Sequence, residues 1–132
     1  MAKIISLSEA ASIALHSVIL IAKSDKLINV MRIAELTESS KHHVAKVLQR
    51  LVKDGFIVSQ RGPSGGFVLN RNPNEITLLS IYESIEGRIE IPNCPMEHAI
   101  CPFDKCFLNN ITNRMTIDFR KYLEDNTISN FI

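Results

Sequence analysis

Cys94, Cys101 and Cys106 fall within thirteen residues, in the run Cys94-Pro-Met-Glu-His-Ala-Ile-Cys101-Pro-Phe-Asp-Lys-Cys106. The clustering is too dense for buried apolar cysteines, and the stretch is too polar for inert ones. Thiolate binding of a soft metal or cluster explains it, because metal–sulfur bonds offset the entropy lost when neighbouring thiols are ordered. Proline after two of the three stiffens the loop and removes a competing backbone donor near the sulfur. Three thiolates leave one coordination position to fill. For tetrahedral zinc the fourth partner within the loop is His98. For an iron–sulfur cluster it is His98, a carboxylate such as Glu97 or Asp104, or a group from elsewhere. An odd number of cysteines in one short segment argues against a disulfide framework.

The elements that would position such a loop are read from Val30 to Leu69. The run Ser40–Asp54 repeats apolar residues at Val44, Val47, Leu48 and Leu51, the spacing of one helical face, with charge on the opposite face. Gly55 follows as a stop. Phe56-Ile-Val-Ser and Phe67-Val-Leu-Asn then flank Arg61-Gly-Pro-Ser-Gly-Gly66, which reads as two strands about a hairpin tip. Upstream, Val30–Leu36 is a short helix with Ile33, Ala34 and Met31 turned inward. Thr37–Ser40 supplies a tight link in which Ser39 or Ser40 caps the next helix. Helix, turn, helix, strand, glycine turn, strand is the order of a winged helix-turn-helix, whose second helix enters a DNA major groove by its first turns.

Charge agrees with that reading. Between residues 38 and 71 six cations stand against two carboxylates, a local net of +4, whereas the whole chain carries +1. Positive charge is therefore concentrated where phosphates would lie. A solvated basic helix beside an ordinary hairpin is the competing explanation. Gly62, Gly65 and Gly66 weigh against it, since a hairpin needs fewer glycines, and they leave Arg61 on a nearly side-chain-free tip suited to a backbone or minor groove. The expected DNA-facing set is Ser39, Ser40, Lys41, His42, His43, Lys46 and Arg50 from the helix, with Arg61, Gly62, Ser64 and Gly65 from the wing.

The remainder is helical. A first helix capped by Ser8 runs to Ala22, with Leu7, Ala11, Ala14, Leu15, Val18 and Ile21 on its buried side, Glu9 favoured by the helix dipole, and His16 in its most apolar part. A helix capped by Thr77 ends at Gly87, and Arg88–Pro92 is extended. From Asn109 to Asp125, Ile111, Met115, Phe119, Tyr122 and Leu123 form a stripe too apolar for a lone terminal helix, so a second copy of the chain is expected against it. Residues 126–132 are expected to be disordered or swapped. With 132 residues and 45% hydrophobic content, the chain buries one modest core. No apolar run is long enough to span a bilayer, and no secretory leader is recognisable, so a cytoplasmic protein without membrane contact is expected. No catalytic constellation points to an enzyme.

Leu51-Val-Lys-Asp-Gly-Phe-Ile-Val-Ser-Gln-Arg-Gly-Pro-Ser-Gly-Gly-Phe-Val-Leu69, followed by Ile76-Thr-Leu-Leu-Ser-Ile-Tyr-Glu-Ser-Ile-Glu-Gly87, resembles the Rrf-two family of bacterial regulators, the group of IscR and NsrR. The resemblance implies a mostly α fold with a small β-hairpin wing. Residues 1–88 would form a winged helix-turn-helix DNA-binding domain, 89–108 a cysteine loop, and 109–132 a dimerisation helix and tail. It further implies a homodimeric transcription factor, expected to be a repressor, whose affinity for double-stranded promoter DNA is controlled by an iron–sulfur cluster on Cys94, Cys101 and Cys106. Relatives space these cysteines evenly, whereas six residues and then four separate them here, which leaves a two-iron or a four-iron cluster open. Some relatives present a ligand from the first helix to the other subunit's cluster. On this chain Ser12 stands where the carboxylate would be, so the implied fourth ligand is His16 of the partner subunit, with His98 as the alternative. A zinc-stabilised or thiol-sensing winged-helix regulator, or a small redox protein on the same scaffold, are the competing functions.

Overall fold

Short polar side chains set the helix starts. In the computed structural model, which describes residues 1–91, 94 and 101–132, Ser8 Oγ accepts from the Ala11 amide at 3.0 Å and opens α1 (Glu9–Lys23). Asn29 does the same for α2 (Val30–Thr37), and Ser40 for α3 (Lys41–Lys53). Thr77 opens α4 (Leu78–Glu86). Such a cap satisfies an amide the first turn leaves orphaned and stabilises the helix by about 1 kcal/mol. Glu38, in the left-handed region, turns α2 into α3, and Gly55 at φ 84° releases the chain from α3.

Strands β1 (Ile57–Gln60) and β2 (Gly66–Leu69) pair antiparallel, Ile57 with Leu69 and Gln60 with Gly66. Ile28 bridges to Phe67 on the open edge, its carbonyl accepting from the Phe67 amide at 2.9 Å. Helix α1 packs against α2, α3, α4 and β2. The core holds Val18, Ile33, Val44, Leu48, Leu51, Ile57, Ile76 and Ile81. Among the described residues, no helix is long and apolar enough to cross a membrane. The mostly α winged-helix fold expected from the sequence is the one found.

Several local expectations need correction. Met31 lies 64% exposed, because it is two positions from the buried Ile33 and so on the far side of a helical turn. Leu7 precedes the cap and is exposed as well. The tail is neither swapped nor loose. Thr127 bridges to Thr77, the Ile128 amide donates to the Ile76 carbonyl at 2.9 Å, and Ile128 is fully buried in the core of its own chain. The terminal stripe divides. In α5 (Ile111–Asp125), Leu123 is buried and Phe119 meets Tyr82 edge-on at 5.8 Å, while Ile111 and Tyr122 face outward with Ile117. Steps of four from Met115 through Phe119 to Leu123 keep one face on α4, and Tyr122 falls off it.

The wing glycines also have structural work that their number alone concealed. A Cβ on Gly65 would meet the Gln60 carbonyl, one on Gly66 would lie 2.6 Å from the Ile28 carbonyl, and Gly62 adopts φ 116°. All three are required by the hairpin and its bridge to Ile28, so their presence is not a sign of DNA binding. Gly66→Ala is expected to lower stability by about 1–3 kcal/mol, the range of overpacking. Ser64→Ala, on the exposed tip, should stay within about 0.5 kcal/mol of the parent. Equal urea midpoints for the two variants would contradict the close approach.

Candidate nucleic-acid interface and cysteine site

Burial of Val44, Val47, Leu48 and Leu51 fixes the rotation of α3. His42, Lys46, Gln49 and Lys53 consequently lie on its exposed face. Lys41 is exposed on the first turn. Ser40 is committed to its cap, and the Ser39 hydroxyl donates to the Thr37 carbonyl at 3.2 Å, so both expected contacts have their hydroxyls engaged locally. At the wing tip Arg61, Gly62 and Ser64 are exposed, and Gly65 is half-buried.

Three basic side chains near α3 are tied within the fold. His43 turns to α1, where its Nδ1 lies 3.3 Å from Glu9 Oε1. Arg50 Nε donates to Asp54 Oδ2 at 3.2 Å. Arg71 donates to the Asp54 carbonyl at 2.9 Å and stacks over the Phe56 ring at 4.6 Å. The Ser84 hydroxyl of α4 donates to the Asp54 carboxylate. That hydrogen bond, with Arg50 and Lys53 adding to it against partial desolvation, holds the Asp54 carboxyl below its ordinary range. Glu9–His43 and Ser84–Asp54 were missed by sequence reasoning. Their partners are far apart in the chain, and no periodic pattern connects them.

Cys94, Cys101 and Cys106 are exposed and free of disulfides. The backbone amide of Asn110, then that of Leu108, with a smaller contribution from Asn109, pulls the Cys106 thiol below its ordinary range. Asn109 and Asn110 are both left-handed, the turn that brings these amides round to the sulfur. Among the described residues, no group of three or more His, Cys, Asp or Glu side chains converges, so one chain does not bring His16 together with the cysteines. His98 and Glu97 lie outside the described residues, and Asp104 is exposed. The donor set itself, three accessible thiols of which one is lowered by backbone amides, fits a soft thiophilic metal or cluster.

His16 is exposed on α1, in an open groove with Ser12, Leu20 and Leu36. Its Nδ1 lies 2.6 Å from the Ser12 carbonyl. A carbonyl can only accept, so Nδ1 is the donor in this contact, and Nε2 is the ring nitrogen not used in it.

The sequence profile of the Rrf2 family, described as iron-dependent transcriptional regulators, matches residues 7–132. The chain belongs to the Rrf2 family. Among its Rrf2 relatives, the HTH-type transcriptional regulator NsrR of Oceanobacillus iheyensis is 30% identical over 114 residues, covering 83% of this chain and 77% of its own. The regulator IscR of Pectobacterium atrosepticum is 23% identical over 100 residues, 76% of this chain and 61% of its own. The solved structure of CymR, the global cysteine regulator of B. subtilis, superposes with a TM-score of 0.77 at 24% identity, covering 96% of this chain and 95% of that one. Rrf2 membership makes this chain a transcriptional regulator, and the relatives' names agree with the expectation that it is not an enzyme.

The Ser84–Asp54 bond has a pH signature. A carboxyl lowered in the folded state contributes stability above its unfolded value, near 3.8, and that contribution is lost as pH falls through the lower folded value. Ser84→Ala should therefore unfold at a lower temperature than the parent near neutrality. The gap should close as pH drops below 3.8. A gap constant through the acid range would remove Asp54 as its cause.

Proposed function

We propose that this Rrf2 regulator is a homodimer that binds promoter DNA through α3 and the wing, with an affinity set by an iron–sulfur cluster held on Cys94, Cys101 and Cys106. The observation that carries the cluster is the trio of exposed thiols free of disulfides, with the Cys106 thiol drawn below its ordinary range by backbone amides. The family's description as iron-dependent and the NsrR and IscR relatives support it. The bound cluster would supply a redox-active and labile centre. The chain's residues would supply three thiolates and a fourth ligand, which we assign to His16 of the partner subunit ahead of His98. His16 supports this by its exposure and by the engagement of its Nδ1 on the Ser12 carbonyl, which leaves Nε2 as the nitrogen not used in that contact. The same lowered thiol at Cys106 favours thiol sensing as a second reading, in which no metal is bound.

For DNA, the proposed contacts are the outward residues Lys41, His42, Lys46 and Gln49 with Arg61 on the wing, Ser39, Ser40, Gly62, Ser64 and Gly65 contributing backbone, and His43 and Arg50 in supporting positions. On α5 the exposed Ile111 and Tyr122 share one side of the helix and support a two-fold partner.

Anaerobic purification with a visible spectrum and iron and sulfide assays tests the cluster. Cysteine-to-serine variants should lose absorbance and iron together, and His16→Ala should shift the spectrum where His98→Ala does not. The reverse pattern would make the loop self-sufficient, and an iron-free parent responding to oxidant would establish the thiol reading. In the same preparations, Lys46→Ala and Arg61→Ala should each flatten the salt dependence of duplex binding by about one unit of slope.

Dimerisation is tested separately by sedimentation. Ile111→Glu combined with Tyr122→Glu should give a folded monomer. A dimer of undiminished affinity from that variant would move the interface off this face of α5.

A further inference from the structure

The first turn of α1 is held from two sides. Ser8, its cap, donates its hydroxyl to Glu86 at the end of α4, and Glu9 reaches His43 on the first turn of α3. Of Lys41, His42 and His43, only His43 is half-buried. Its side chain shares a cleft of about 310 Å³ with Ala10 of α1, Ile85 of α4 and the α3 residues Lys46, Val47 and Arg50. The charged groups beside it are Glu9 from α1 and Lys46 and Arg50 from its own helix, Arg50 being already bonded to Asp54, while Glu86 of α4 is taken up by Ser8.

We infer that Glu9 is a positioning residue for DNA recognition: by holding His43 against α1 it withdraws that imidazole from the duplex and compensates its charge, so that sequence is read by the outward positions of α3. Phosphate contacts add affinity without discrimination between sequences. An uncompensated imidazolium next to Lys46 would add such a contact at the start of the helix. An imidazole acquires its charge between about pH 8 and pH 5, so the carboxylate matters most on the acid side of neutrality. The Glu9 side chain is 67% exposed, and a surface pair of this kind adds little to folding. Its removal is therefore read in binding rather than in stability.

The inference rests on α3 entering the duplex and not on any metal in the cysteine loop. The probe is a duplex enriched by the parent protein from a randomised pool, compared with a scrambled duplex of the same composition. Full-length proteins from one anaerobic preparation are titrated by fluorescence anisotropy across a salt series at about pH 6 and about pH 8. At the lower pH, Glu9→Gln should bind the scrambled duplex about two- to fivefold more tightly, the range of one surface ion pair. Its salt slope should steepen by about one unit, and its preference for the enriched duplex should fall. At the higher pH the difference should be small. Adding His43→Gln to Glu9→Gln should restore the parent's slope at both pH values.

Two results would overturn the positioning role: a Glu9→Gln protein indistinguishable from the parent at both pH values, or a His43→Gln protein that loses preference at a single base pair, as a base-reading side chain would. A parent that enriches no duplex would overturn it together with the DNA reading of α3. Lys46→Ala, which should weaken binding at both pH values, distinguishes these failures.

Discussion

Close approach of helices to α1 is the constraint on which this fold depends. Ala11, Ala14 and Ser17 are fully buried at three-residue intervals, and residues this small let neighbouring backbones come near. Ile13, Val18 and Ile21 extend the contact on either side, each worth about 1.5–3 kcal/mol by burial. Because α1 touches α2, α3, α4 and β2, the orientation of the recognition helix, the seat of the wing and the line taken by α4 are set against one surface. The Ser17 hydroxyl, buried without a hydrogen-bond partner, shows how tightly that surface is drawn.

The cations near α3 divide by role. Arg50 and Arg71 meet at Asp54, one on its carboxylate and one on its carbonyl. Arg71 thereby secures the end of α3 to the chain leaving β2, and Ser84 brings α4 into the same junction. Lys41, Lys46, Lys53 and Arg61 remain exposed. The local net of +4 read from the sequence already subtracts Asp54, so its pairing with Arg50 changes where the charge lies rather than its sum, and the exposed share sits on the three lysines and Arg61.

Fold class, element order and most helix starts were legible because they are written locally, in caps at Ser8, Ser40 and Thr77, in the stop at Gly55 and in one apolar face of α3. The cysteine cluster was legible for the same reason. What was not legible depends on contacts between distant segments. Nothing near Gly65 or Gly66 announces that a carbonyl of Gln60 or Ile28 lies against it, so the glycines looked surplus to the hairpin. The apolar stripe of α5 could not say which residues face α4 and which face outward, since helical periodicity is the same for either partner. The tail, short and polar at both Asn126 and Asn130, carried no sign that Ile128 fills the space beside Ile76. For the DNA-facing set, residue type and helix position identified the exposed lysines, and the inward turn of His43 required the position of α1.

Docking of the tail has a consequence for the cysteine segment. Helices α4 and α5 pack together, and the chain beyond α5 is bonded back to the residues just before α4, with the Leu78 amide donating to the Asn126 carbonyl at 2.9 Å. The start of α4 and the end of α5 are thereby tied together, at the opposite ends of these helices from the cysteine segment. Packing of α4 on α5 limits how far the two ends of that segment can separate, so a ligand that gathers the thiols has less chain to order. Helix α4 is in turn bonded to Ser8, the cap that opens α1, and to Asp54, the cap that closes α3, so the line between the cysteine segment and the two helices passes through α4.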